Sequence, residues 1–72
     1  MTRQEFIEFL KNLKTDSDQN KQPKTLSDFL ESMIAYTEDI QGFYDNLDMN
    51  INADVASWEN FSHILKGASI YE

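Results

Sequence analysis

Apolar residues recur in this chain three and four positions apart, the period of a helix with one dry face, and nowhere alternate as in a half-buried strand. The first such stretch runs from about Arg3 to Lys14. Phe6, Phe9, Leu10 and Leu13 share a stripe, Ile7 lies beside it, and Glu8, Lys11 and Asn12 face water. Thr2 and Glu5 stand at the spacing of a capping box, in which hydroxyl and carboxylate satisfy free backbone N–H groups at the helix start. Residues 15–24 are then polar apart from Pro23 and bury too little to order themselves, so they read as a linker. Pro23 disfavours helical geometry at Gln22 and helps to separate the flanking helices.

The strongest periodicity spans about Leu26 to Tyr44. Leu26, Phe29, Leu30, Met33, Thr37, Ile40 and Tyr44 fall within about 100° of arc, with Ile34 on one flank and Tyr36 and Phe43 on the other. Asp28, Glu31, Ser32, Glu38 and Asp39 form the opposite, solvated face. Gly42 weakens the last turn and marks a place where the helix could break. Residues 45–56 are a second connection, rich in Asp and Asn, and Ser57 has the character of an N-cap. Trp58, Phe61, Ile64, Leu65 and Ala68 then make one face of a third helix that ends near Ser69.

These elements predict an all-α fold, a small three-helix bundle. It is a single domain over residues 1–72, with helices at about 3–14, 26–44 and 58–69 and polar linkers at 15–24 and 45–56. The apolar arc of the second helix is wide enough to be covered on two sides, which makes it the expected central member. Trp58 is expected to pack on it at Met33, Ile40 or Tyr44.

Length and charge sharpen this picture. A 72-residue chain has room for one small core, to which five Phe, three Tyr and one Trp bring large areas; folding as a monomer is marginal, and a homodimer stays open. The absence of cysteine removes disulfides and thiolate sites. The N-terminus lacks the apolar run of a signal peptide, and no stretch is apolar enough for a bilayer, so a soluble, cytoplasmic protein is expected. Net charge is −7 and unevenly spread. Residues 1–24 hold five basic and four acidic side chains, whereas residues 25–72 hold nine acidic ones against Lys66 alone. Such a surface repels nucleic-acid phosphates and anionic lipid, and suits a basic protein or a divalent cation.

Candidate chemistry is sparse. His63 has no second His or Cys with which to share a metal, and is expected on the polar side of its helix. The carboxylate pairs Glu5 with Glu8 and Glu38 with Asp39 sit on hydrated faces, whereas acid/base work requires burial, and nothing in the sequence suggests a pocket for them. With only Gly42 and Gly67, the chain has no phosphate-cradling loop. Leu26-Ser27-Asp28 stands in the wrong order for the prosthetic serine of an acyl carrier protein, and Ser27 reads as a plain helix-start residue. One pattern has metal-ligand spacing: Asp48, Asn50, Asn52, Asp54 and Glu59 occupy positions 1, 3, 5, 7 and 12 of an EF-hand loop. Ala53 stands where that loop needs glycine for its sharp turn, so the set is a weak candidate and no metal is expected.

A longer pattern carries a family resemblance. Asp28-Phe29-Leu30-Glu31-Ser32-Met33, Glu38-Asp39-Ile40, Gly42-Phe43-Tyr44, Trp58-Glu59-Asn60-Phe61 and the ending from Ile64-Leu65 to Ile70-Tyr71-Glu72 run in sequence. Over about residues 25–72 the chain resembles a family of short bacterial proteins that form a domain of unknown function. The resemblance groups Tyr44, Trp58, Phe61, Tyr71 and Glu72 as a set and implies no activity, cofactor or substrate. From the residues themselves, the expected function is a non-enzymatic, protein-binding module, inhibitor-like toward a partner with a basic surface. Glu31, Glu38 and Asp39 are its candidate contacts. A cation-binding domain built on Asp48 to Glu59 is the alternative, and no cofactor is expected.

Overall fold

The structure, a computed structural model, describes residues 1–19 and 25–70. They form three helices, α1 (Arg3–Asp18), α2 (Leu26–Asn46) and α3 (Trp58–Ile70), without a strand among the described residues. Each start is made by the residue type that the sequence offers. Thr2 Oγ1 accepts from the Glu5 amide at 3.1 Å while the Glu5 carboxylate accepts from the Thr2 amide at 2.8 Å, which completes the capping box. Thr25 caps α2 by accepting from the Asp28 amide at 3.1 Å, and Ser57 caps α3 by accepting from the Asn60 amide at 3.1 Å.

α1 runs one turn further than its apolar stripe. Residues 15–18, read as linker, are helical because their side chains support the turn: Lys14 pairs with Asp18 at 2.9 Å, and the Thr15 hydroxyl donates to the Lys11 carbonyl at 3.1 Å. The expected break at Pro23 lies outside the described residues. α2 passes through Gly42 unbroken.

α2 and α3 run antiparallel, with Tyr44 beside Asn60 and His63 at one end and the Tyr36 ring against Gly67 further along. Hydrogen on the Gly67 Cα is what lets that ring lie flush on α3, since any Cβ there would overlap it. Among the described residues α3 packs on both other helices, while α1 and α2 do not pack on each other. The central member is therefore α3, not α2. Its buried positions explain why: Ser62, Gly67 and Ala68 are small, and Asn60 is satisfied by hydrogen bonds, so neighbours can close on two sides.

The expected position of Trp58 changes with this. Its ring lies 5.1 Å from that of Phe6 on α1 and 5.9 Å, edge-on, from that of Phe61. Phe6 in turn stacks on Phe9 at 6.0 Å. The cluster is the joint between α1 and α3, and at 37% exposure Trp58 stands on its rim, not in the α2–α3 core of Ile40, Tyr44 and Ala68. Among the described residues no helix is long and apolar enough to cross a membrane.

Candidate functional site

The buried polar groups gather where α2 and α3 meet the loop at residues 47–57. Tyr44, 1% exposed, has its hydroxyl 2.8 Å from Asn60 Oδ1 and 2.8 Å from His63 Nδ1. Both Asn60 Nδ2 hydrogens are spent on the loop, on the Asn52 carbonyl at 2.9 Å and the Val55 carbonyl at 2.7 Å. Donor counting then fixes the rest. Asn60 Oδ1 can only accept, so the Tyr44 hydroxyl donates to it and accepts from His63, whose Nδ1 carries the proton. His63 is thus half-buried and engaged with Tyr44, a partner its helix position did not reveal. Burial, with a smaller contribution from the Tyr36 phenol, raises the Tyr44 phenol above its ordinary pKa. Gln41 holds the loop from the other helix, donating to the Ile51 carbonyl at 3.1 Å and accepting from the Ala53 amide at 2.7 Å. Asn60 and Gln41 bind loop backbone, and their geometry is that of a brace.

Gln41 and Asn60 carried no functional reading in the sequence. Their one signal is position: each is a polar residue inside a run that otherwise turns inward, beside Ile40 and between Trp58 and Phe61.

The backbone of the loop is also closed by bonds at its own start. Asp48 has φ 54°, in the left-handed region, one residue past the C-cap Leu47. Its amide donates to the Asp45 carbonyl at 3.2 Å, and the next amide, Met49, donates to the Tyr44 carbonyl at 2.9 Å. These two bonds are a Schellman stop, and Asp48 fills the place usually held by glycine. Asn52 Oδ1 accepts from the Asp54 amide at 2.9 Å. The Glu59 carboxylate pairs with the Met1 ammonium, which lowers the Glu59 pKa and raises that of the amino group. Of the residues at EF-hand spacing, Asn52 and Glu59 thus have side-chain partners of their own, and Asp48 contributes its backbone to the helix stop. Among the described residues no three His, Cys, Asp or Glu side chains form a metal-holding group.

The candidate contacts Glu31, Glu38 and Asp39 are all exposed on α2. At 100° per residue Glu31 and Glu38 lie within about 20° of each other, and Asp45 continues their row because seven residues nearly complete two turns. Asp39 lies about 100° away from Glu38, near Asp28, so the triplet divides into two faces. Beside the row of Glu31 and Glu38 stand Leu26, Leu30 and Ile34, which were expected in or beside the core and are 73%, 48% and 63% exposed. Half-buried or buried instead are Phe29, Met33, Tyr36, Ile40 and Tyr44, so the stripe that meets α3 is rotated toward Tyr36. Among the described residues the ion pairs are Met1–Glu59, Lys11–Glu8 and Lys14–Asp18, and none involves a carboxylate of α2.

Comparison with curated proteins and with solved structures returned no match. The pattern of the second and third helices, extended by the capped first helix, is nevertheless that of one family across almost the whole chain. The model of a family of unknown function, DUF7660, matches residues 2–72, and the chain belongs to that family.

Proposed function

We propose that this protein is a non-enzymatic binding module that recognises a basic surface on a partner protein through α2. The observation that carries the reading is the charge of that helix. Residues 25–65 contain eight carboxylates and no Lys or Arg, and the α2 members enter no ion pair among the described residues. A helix whose charges are all of one sign and unpaired carries some self-repulsion, and that cost is recovered when a cationic surface meets it. The α2–α3 core and the loop bound to Gln41 support the same reading, because they anchor the acidic helix on one side and leave its carboxylates exposed. An inhibitor-like role, in which a small acidic protein covers a basic partner, fits this surface.

The test is kinetic. Binding to a captured basic partner should show an on-rate that falls as salt rises, since exposed charges are screened beyond about 8 Å at physiological ionic strength. Changing Glu31, Glu38 and Asp39 together to Lys should slow association by at least tenfold and leave the melting temperature within a few degrees, because exposed charges contribute little to stability. A partner that binds equally well at all salt concentrations, and ignores the triple change, would refute the reading.

A further inference from the structure

The row formed by Leu26, Leu30 and Ile34 is an apolar feature that the described residues leave open on α2. Successive members are four residues apart, so they make one continuous ridge of about 12 Å along the helix. The ridge has defined borders. On one side it meets the stripe of Phe29, Met33 and Ile40 that faces α3. On the other, about 60° further round, runs the row of Glu31 and Glu38. Toward the C-terminal end the loop covers the same side of the helix through its bonds to Gln41. Toward the N-terminal half nothing among the described residues of α1 packs on α2.

From this arrangement we infer that Leu26, Leu30 and Ile34, with Glu31 and Glu38 beside them, are a docking ridge for an amphipathic helix of a partner protein whose apolar stripe is edged by Lys or Arg. The inference rests on the protein-binding reading and names its contact. Charge complementarity selects the occupant. A second copy of this chain docked ridge to ridge would bring Glu31 and Glu38 of one protomer toward the same row of the other, with no Lys or Arg between residues 25 and 65 to compensate. A lipid surface of anionic headgroups is repelled for the same reason. A helix is favoured as the partner element because a straight four-residue ridge fits the groove of another helix, and carboxylates seven residues apart stay in line with a row of cations on it.

The experiment uses the full chain and a synthetic peptide of about 20 residues, an amphipathic helix with a Leu stripe and Lys at every seventh position along one edge. Titrated into isotope-labelled protein, it should give saturable amide shifts centred on residues 26–38. A peptide with Glu in place of Lys should bind at least tenfold more weakly. Leu30→Ser with Ile34→Ser should also cut affinity at least tenfold, with an unchanged far-ultraviolet circular dichroism spectrum. Equal binding of the Lys and Glu peptides, shifts centred on the Phe6–Trp58 cluster, or absence of saturation at millimolar peptide would each overturn the ridge. So would a dimer in sedimentation that Leu30→Ser and Ile34→Ser dissociate, since the occupant would then be a second copy. The two readings fail differently. If binding is lost on Glu31→Lys with Glu38→Lys but not on the serine changes, the ridge falls and the acidic module stands; if neither pair matters, both fall.

Discussion

Asp48 shows how one residue can stand in two patterns at once. Its carboxylate stands at the first position of an EF-hand spacing, and its backbone, at φ 54°, is the stop of α2. The left-handed conformation costs a non-glycine residue about 1 kcal/mol, although Asp tolerates it better than most. Asp48→Gly should therefore raise stability by about 0.5–1 kcal/mol, less than the full strain because glycine also loosens the unfolded chain. A rise of a few degrees in melting temperature is the expected result; a fall would mean that the carboxylate itself holds something in place. At this scale the caps at Thr2 and Ser57 were legible, because they act over three residues of sequence and need no tertiary partner, whereas at α2 the sequence reading named Ser27 and the cap is Thr25. The tasks of Asn60 and His63 were not, since the Tyr44 hydroxyl that engages them lies 16 and 19 residues away.

The elements were legible in number, order and approximate length, and their packing roles were not. Periodicity reports which face of a helix is apolar, and is silent on whether that face meets a neighbour. α2 has the wider apolar arc, which pointed to a central place, yet α3 took it because small side chains at Ser62, Gly67 and Ala68 permit close approach on two sides. The surplus on α2 became the open ridge of Leu26, Leu30 and Ile34. Trp58 follows the same logic: its place on the wheel pointed to burial against α2, but it meets α1 and stays on the rim. A fully buried Trp or Phe costs about 3–5 kcal/mol when cut to alanine, and a ring that keeps 37% exposure on a rim should cost less, about 2 kcal/mol. Trp58→Ala should accordingly lower the urea midpoint without abolishing cooperative unfolding of α2 and α3. Loss of all structure would return Trp58 to the core.

For the molecule as a whole, stability should come in two tiers. The core residues Ile40, Tyr44 and Ala68 belong to α2 and α3, whereas α1 has no buried residue and is held by the Phe6–Trp58 contact and the Met1–Glu59 pair. Elements with few buried contacts open at lower free energy than the core, so α1 should detach while the α2–α3 pair stays folded. Amide exchange in α1 should be faster than at Ile40, Tyr44 or Ala68, and Trp58 fluorescence should change in a transition that precedes loss of the α2–α3 helical signal. The ionic pair gives that first transition a pH window. Glu59, lowered chiefly by its bond to the amino terminus, contributes above its ordinary value of 4.5 and stops contributing as pH falls through its lower folded value. The Met1 ammonium, raised chiefly by the same bond, contributes below its ordinary value of 8.0 and is lost as pH rises through its higher folded value. α1 should thus be held best between about pH 4.5 and 8.0, with earlier detachment on either side and on acetylation of the amino group. Since the pair is partly exposed, added salt should blunt the window, leaving the aromatic contact as the main tie. A single transition in which Trp58 fluorescence and helical signal coincide at every pH would show that α1 and the α2–α3 pair unfold as one unit.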